Sequence, residues 1–211
     1  MLEDSYVEAN AVRKLVVRSL REGVALRLQL VEDCTSEVLR AAQAIHKTLQ
    51  RGGKILLFGN GGSAADAQHM AAEFVGRFAR NRGPLPAMAL TTNTSILTAL
   101  GNDYGFEQIF ARQVRALGRR GDVAIVISTS GRSPNILEGA RAARKLGLTT
   151  IALTGGAGDR LLRVVDIGLR VPSKNVARIQ ECHIALGHIL CEITDALLDA
   201  RGNAGRARRF R

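Results

Sequence analysis

The chain opens with a long amphipathic stretch. Residues 7–32 and 36–50 carry apolar side chains every three or four positions, which predicts helices. Gly52 and Gly53 end the second pattern, because glycine commonly stops a helix. A helix with such an apolar stripe must cover it against another surface, so the stretch is predicted to be an additional N-terminal element packed on a neighbour.

Five short apolar or β-branched runs follow, each with the length of a strand. Helical patterns separate most of them, including one at Asn135–Leu146, and a last helical pattern covers residues 177–200. Alternating strands and helices predict right-handed βαβ units, and therefore an α/β fold with a doubly wound parallel sheet covered on both faces. The five predicted strands are Lys54–Phe58, Ala87–Leu90, Asp122–Ile127, Thr149–Leu153 and Asp166–Val171.

Composition favours a single domain over residues 1–200. The 211 residues are 46% hydrophobic, enough for one sizeable core. The net charge is +11, but residues 201–211 hold five arginines and no acid, which leaves 25 basic and 19 acidic residues, or +6, in the rest. This Gly/Ala/Arg tail is predicted to be disordered, because it cannot bury enough apolar surface. Aromatic residues make up only 4%, too few for a stacking surface, so we expect no nucleic-acid partner.

The compartment follows from features that the sequence lacks. No apolar run approaches the roughly 18 residues needed to cross a bilayer, and the acidic start of the chain differs from the basic start of a secretory signal. Cys34, Cys182 and Cys191 lack a CxxC spacing and lie in apolar helical patterns, which is typical of reduced packing residues. We therefore expect a cytoplasmic protein without a membrane partner.

The stretch GNGGSAADAQHMAAEF, residues 59–74, turns from a strand into a helix. Ligands of doubly wound sheets bind where such strands end, and the free N–H groups at the start of a helix favour an anion. Asn60, Gly61, Gly62 and Ser63 are therefore candidate substrate-binding residues. The spacing is not G-x-G-x-x-G and no G-K-[ST] occurs, which disfavours a dinucleotide site or a P-loop.

A second turn, STSGRSPN at 128–135, has the same position after another strand. Its hydroxyls, on Ser128, Thr129, Ser130 and Ser133, come without a lysine, a pattern that suits a dianionic monophosphate. Either turn alone is typical of an ordinary strand-to-helix connection. The two together favour a phosphate site.

His69 and Glu73 lie four residues apart and share one face of the helix that begins at the first turn. This spacing permits two ligands of one metal ion or an acid–base pair. From the spacing alone, an exposed hydrogen-bonded pair is the simpler interpretation.

Four motifs together resemble one family. The two glycine-serine turns, GNDYGF at 101–106 and ARIQECHIALGH at 177–188 occur in the order seen in the sugar isomerase (SIS) fold, and within it in the bacterial phosphoheptose isomerases. The resemblance runs from roughly Leu20 to Leu198. It implies a three-layer fold around a five-stranded sheet, and a homotetramer whose sites lie between subunits.

The resemblance also implies roles for individual residues. Glu73 and His188 match the catalytic residues; Asn102, Asp103 and Gln180 match substrate-binding positions. His69, Glu73, Gln180 and His188 match the ligands of one divalent metal ion per subunit, expected to be Zn²⁺. Gln180 and His188 are about 12 Å apart along a helix. A contribution from neighbouring chains would therefore explain a shared ion.

The implied reaction converts sedoheptulose 7-phosphate into D-glycero-D-manno-heptose 7-phosphate, the first step toward an activated heptose. It passes through an enediolate, for which Glu73 would move the carbon-bound proton and His188 the protons on the sugar oxygens. Two alternatives remain open. One is a non-catalytic SIS module that binds the bacterial replication initiator, and the other is a sugar-phosphate sensor without turnover.

Overall fold

The N-terminal stretch is one continuous helix. The computed structural model describes residues 2–208, with side chains from Asn10 to Asp199, and α1 spans Leu2–Gln50. The helical patterns at residues 7–32 and 36–50 join into this one helix, and Thr35 between them does not interrupt it. Its Oγ1 donates to the carbonyl of Val31 at 2.6 Å, so the hydroxyl is satisfied within α1.

All five predicted strands are present. They form one parallel sheet in the order β2-β1-β3-β4-β5, which confirms the predicted α/β fold class. The strands are β1 (Ile55–Gly59), β2 (Ala87–Ala89), β3 (Val123–Ser128), β4 (Thr149–Thr154) and β5 (Ile167–Arg170).

The remaining helices connect and cover these strands. They are α2 (Gly62–Val75), α3 (Thr94–Tyr104), α4 (Ile109–Leu117), α5 (Pro134–Leu146), α6 (Asp159–Leu162) and α7 (Val176–Arg208), with a 3-10 turn at Phe106–Gln108. The predicted disorder of residues 201–211 stays a prediction, since the side chains there lie outside those described and the last three residues lie outside altogether.

The sheet separates two apolar cores, as expected for three layers. Alternate residues of β1 point to opposite faces, with Leu57 in the core beneath α1, α2 and α7, and Phe58 in the core beneath α4 and α5. The α1–α2–α7 layer is the one that carries the ionisable residues predicted from the sequence. The fold therefore brings the start of the chain, the first glycine turn and the last helix together.

The N-terminal half of α1 leaves an apolar face uncovered in the single chain. Leu20 is 68% exposed and Leu28 is 65% exposed, whereas Leu30, Val38 and Ile45 are buried. Of the helices in the described part of the chain, none combines the length and apolarity that crossing a bilayer requires.

Candidate active site

The two glycine-serine turns lie side by side. Gly59, the last residue of β1, pairs with Ile127 near the end of β3, so both turns leave the same edge of the sheet. The side-chain amides of Asn60 and Asn135 join them through two reciprocal hydrogen bonds of 2.9 Å. The Asn60 side chain therefore holds the turns together, while its backbone stays part of the turn.

Glycine makes the first turn possible. Gly61 has a φ of 55°, a left-handed value that disfavours other residues. At Gly59, a Cβ would lie 2.6 Å from the carbonyl oxygen of Ser63. Ser63 itself is buried, whereas Gly61 and Gly62 are exposed at the start of α2. The atoms of this predicted anion site that a ligand can reach are therefore the backbone atoms of the two glycines.

The second turn uses its hydroxyls as acceptors of backbone N–H groups. Ser128 Oγ accepts from the Gly131 N–H at 3.1 Å, and Ser130 Oγ accepts from the Arg132 N–H at 3.3 Å. Each hydroxyl keeps its own proton for donation to an anion. Ser133 precedes α5, and the backbone carbonyl of Thr129 holds the next loop by accepting from the Gly155 N–H at 3.1 Å.

Helices α2 and α7 pack in parallel, in a register that two glycines permit. A Cβ at Gly187 would lie 2.8 Å from the sulfur of Met70, and a Cβ at Gly62 would overlap the amide of Gln180. Residues near the start of α2 therefore face Gln180, and residues two turns later face Gly187 and His188. This register decides which of the predicted site residues meet.

An imidazole–carboxylate cluster lies at the second of these levels. His69 Nε2 is 2.9 Å from His188 Nε2 and 3.5 Å from Glu73 Oε1. The ring of Phe78 packs on the other side of His188, with centroids 5.4 Å apart. Since both imidazoles meet through Nε2, one nitrogen donates a proton and the other accepts it when both rings are neutral. The cluster can therefore hold and transfer protons.

The donor set of this cluster fits a divalent transition metal. Two imidazoles and a carboxylate are the ligands of many catalytic zinc sites. Two nitrogens on one zinc ion stand about 3.3 Å apart for bonds of about 2.05 Å, so His69 and His188 would separate slightly to admit an ion. Within the described residues, no three His, Cys, Asp or Glu side chains already have the arrangement of a metal site.

Gln180 lies apart from the other three predicted ligands within one chain, so its role as a ligand stays a prediction. It lies against Gly62, at the start of α2, and the register separates it from His188 by about 12 Å along α7. Within one chain, Gln180 therefore does not join His69, Glu73 and His188 around one ion. Its amide instead lies beside the exposed backbone of the first glycine turn.

Asn102 and Asp103 lie away from these contacts. Both are exposed in the last turn of α3, and the Asn102 amide donates to the Asp103 carboxylate at 2.8 Å. Among the described residues, no hydrogen bond joins either side chain to the two glycine-serine turns. Their predicted contact with substrate stays a prediction.

Three residues near the cluster were not predicted from the sequence as site residues. Asp66 shares the α2 face of His69 and Glu73; burial raises its pKa, which His69 partly offsets. Its spacing of three residues from His69 could have indicated that the two side chains share a face of the helix.

Arg82 and Asp195 form a nearly buried ion pair, with Nε 2.5 Å from Oδ1. Nothing in the local sequence connects an arginine of the 76–86 loop with the last helix.

His183 is a second buried histidine of α7. It is fully buried, and burial lowers its pKa to about 4, an effect that the nearby backbone of Thr154 partly opposes. Thr154 ends β4, beside Gly131 of the serine-rich turn. His183 is therefore a neutral packing residue at ordinary pH.

A cavity of about 600 Å³ opens between α1 and α7 and reaches His188. Its other lining residues are mostly apolar and include Leu39 and Ile189, which are partly exposed in the single chain. The serine-rich turn is not part of its lining. The imidazole cluster is thus accessible from the apolar side of the molecule.

Comparison with known proteins identifies what this arrangement resembles. The family model of the SIS domain matches residues 20–155. A phosphoheptose isomerase from Aquifex aeolicus strain VF5 is 54% identical over 186 residues, which cover 88% of this chain and 97% of that protein.

Solved structures agree with these sequence relatives. The phosphoheptose isomerase from Neisseria gonorrhoeae has a TM-score of 0.83 and 44% identity, over 88% of this chain and 99% of that one. The phosphoheptose isomerase from Francisella tularensis has a TM-score of 0.84 and 42% identity, over 87% and 97% respectively.

Proposed function

The chain belongs to the SIS domain family and, within it, to the phosphoheptose isomerases, and we propose that it interconverts sedoheptulose 7-phosphate and D-glycero-D-manno-heptose 7-phosphate. The reaction would take place in the cytoplasm and supply an activated heptose pathway. The observation that best supports this proposal is that His69, Glu73 and His188 meet within one chain, with His69 and Glu73 on the helix that begins at the first glycine turn.

The isomerisation needs two proton movements. Glu73 takes a proton from C1 of the ketose and returns it to C2, with the enediolate between the two steps. His188 takes the proton of the C1 hydroxyl and delivers it to the C2 oxygen, so that a C2 carbonyl becomes a C1 carbonyl. Nε2 of His188 lies 2.9 Å from Nε2 of His69, which supports this role because the His69 imidazole can orient the His188 ring.

We propose that His69, Glu73 and His188 hold a divalent metal ion, expected to be Zn²⁺. When bound there, the ion would polarise the sugar carbonyl and favour the developing negative charge. The proposal rests on the donor types and on the 3.5 Å approach of Glu73 to His69, whose ring also faces His188. Gln180 is assigned to the substrate instead, because it lies beside the first glycine turn.

The phosphate would bind at the serine-rich turn. Ser128, Thr129, Ser130 and Ser133 carry hydroxyls in the turn that leads into α5, and the N-terminal end of that helix carries positive partial charge. The Asn60–Asn135 pair fixes this turn against the first one. Neutral donors bind a dianion without placing a lysine beside the reacting carbons. Asn102 and Asp103 would reach the sugar hydroxyls from α3.

We propose a homotetramer with sites at subunit interfaces. The uncovered face of α1, where Leu20 and Leu28 are largely exposed, supports burial against another copy. The cavity between α1 and α7 reaches His188, so a neighbouring chain seated there would lie next to the acid–base cluster. A second chain would then exclude water from the reacting atoms.

The test is direct turnover. Purified protein is incubated with sedoheptulose 7-phosphate, with and without a chelator, and the aldose product is detected chromatographically. We expect product, and less of it after chelation. Stabilisation by the sugar phosphate without product would contradict the proposal and indicate a sensor. If the assay gives no product and the sugar phosphate does not stabilise the protein, both the isomerase and the sensor are excluded.

A further inference from the structure

Arg82 holds an unusual position for an arginine. It lies in the loop between α2 and β2, and only 12% of its side chain is exposed. Its Nη2 donates to the Glu73 carbonyl at 2.9 Å, and its Nη1 donates to the Phe74 carbonyl at 2.8 Å and to the Gly83 carbonyl at 3.1 Å. Its Nε donates to Asp195 Oδ1 at 2.5 Å. The planar guanidinium therefore contacts three separate segments.

The two hydrogen bonds from Arg82 to α2 go to backbone carbonyls of its last turn, which have no N–H partners within the helix. α2 ends at Val75, so the carbonyls of its last turn have no further helical N–H groups to accept from. A cation at this end also matches the negative pole of the helix. Because one of the two carbonyls is that of Glu73, Arg82 fixes the backbone from which the proposed base projects.

The fourth bond connects this backbone to α7. Asp195 is 4% exposed and follows His188 by seven residues, which places both on the same side of the helix about two turns apart. Arg82 thus joins the backbone of Glu73 to the face of α7 that carries His188. A buried carboxylate needs such a partner, because an unpaired charge is strongly disfavoured there.

We propose that Arg82, paired with Asp195, is a positioning residue that sets the distance between Glu73 and the His69–His188 pair. The inference rests on the proposed isomerase function for its kinetic part. The arginine touches neither the sugar nor the reacting atoms. Its effect passes through the last turn of α2, so it should change catalysis more than binding of the phosphate end.

The chain supplies a matched control in Arg80 and Asp199. This pair also joins the 76–86 loop to α7, one helical turn beyond Asp195. Its side chains are 62% and 48% exposed, and none of the described hydrogen bonds connects Arg80 to the carbonyls of α2. A general requirement for loop–helix ion pairs would affect both arginines, whereas positioning of Glu73 involves Arg82 alone.

Arg82→Lys and Arg80→Lys are compared by steady-state kinetics and by hydrogen exchange of peptides covering residues 70–79. Lysine keeps a charge near Asp195 but cannot hold two carbonyls with a planar fork. For Arg82→Lys we expect kcat to fall by about 10-fold to 100-fold, as for a small misplacement of a catalytic group. KM should stay within about twofold, because ground-state binding is retained. Exchange should accelerate in the last turn of α2, and Arg80→Lys should change none of these values.

Three results would overturn the proposal: folded Arg82→Lys protein with the wild-type kcat, unchanged exchange in residues 70–79, or equal losses in the two lysine variants. If Arg82→Lys does not fold, Asp195→Asn, which keeps the side-chain volume, is measured in the same way. If the wild-type protein does not isomerise the sugar, the proposed function fails, and exchange alone decides whether Arg82 fixes the end of α2.

Discussion

His69 and His188 lie 119 positions apart in the sequence, yet their Nε2 atoms are 2.9 Å apart. The contact joins α2, which begins at the first glycine turn, to α7, the last helix. Glu73 approaches the same nitrogen of His69 to 3.5 Å. The three side chains thus form one coupled group, and each should affect the others when it is changed.

Glu73→Gln and His188→Ala should each lower kcat by about 100-fold or more, the usual loss when a positioned acid or base is removed. Glutamine keeps the size of Glu73 but cannot take the carbon-bound proton. Turnover of sedoheptulose 7-phosphate is the measurement, and His46→Gln on α1 is the control histidine. Near-native rates in both site variants would remove these two residues from the mechanism.

The metal assignment predicts different effects for the histidines and for Gln180. His69→Ala and His188→Ala should each weaken zinc binding by more than about 100-fold, since even the loss of a hydrogen bond to a ligand costs up to that factor. Gln180→Ala should leave the affinity within about threefold. Zinc binding is measured by competition with a chromogenic chelator. An equal loss in Gln180→Ala would instead support the four-ligand set implied by the resemblance.

Gly62→Ala tests the position of Gln180. The new methyl group would overlap the Gln180 amide, and this amide is the end of a flexible side chain that can move away. The protein should therefore remain folded, while KM rises by about tenfold through the loss of one polar contact of about 1.4 kcal/mol.

Gln180→Ala should give a similar KM, and the double variant should be no worse than either single one. Additive losses would show that Gly62 and Gln180 act separately. Thermal unfolding checks that each variant is folded.

His183 predicts a pH-dependent stability. Its pKa is lowered to about 4 in the folded chain, against 6.5 for an ordinary histidine, so the unfolded chain binds the additional proton as the pH falls between these values. Stability is fully present above about pH 6.5 and declines toward pH 4, by roughly 3 kcal/mol in total for this fully buried group.

Urea unfolding of the wild type and of His183→Gln at several pH values measures this effect. The free energy of unfolding of the variant should vary less across the interval. Parallel curves for the two proteins would contradict the prediction, whatever their absolute stability.

The exposed face of α1 predicts the assembly. Leu20→Glu combined with Leu28→Glu should shift the proposed tetramer to smaller species, because charges would replace apolar groups in the proposed interface. Light scattering after size exclusion gives the mass, with Gln29→Glu as a control charge on the same helix. A wild-type protein that is monomeric at all concentrations would contradict both the assembly and the shared site.

The sequence was sufficient to predict the five strands and their parallel arrangement, because alternation of apolar runs with helical patterns is typical of parallel sheets. The prediction of strand lengths was less reliable for the edge strands of the sheet. β2 is shorter than predicted, at Ala87–Ala89, and has only β1 as a neighbour.

The site was only partly readable from spacing. His69 and Glu73 could be paired because four residues make one helical turn. Their contact with His188 depends on where α7 meets α2, and this follows from the packing of Gly187 on Met70 rather than from any local pattern. The contact of Gln180 with Gly62 was unreadable for the same reason, since the helix fixes the distance between Gln180 and His188 but not the neighbour of either residue.

The common register of α2 and α7 means that the two ends of the site cannot be adjusted independently. A slip of α7 by one turn, about 5.4 Å, would separate His188 from His69 and also carry Gln180 away from Gly62. Mutations that loosen this helix pair anywhere along its length should therefore impair both ends together.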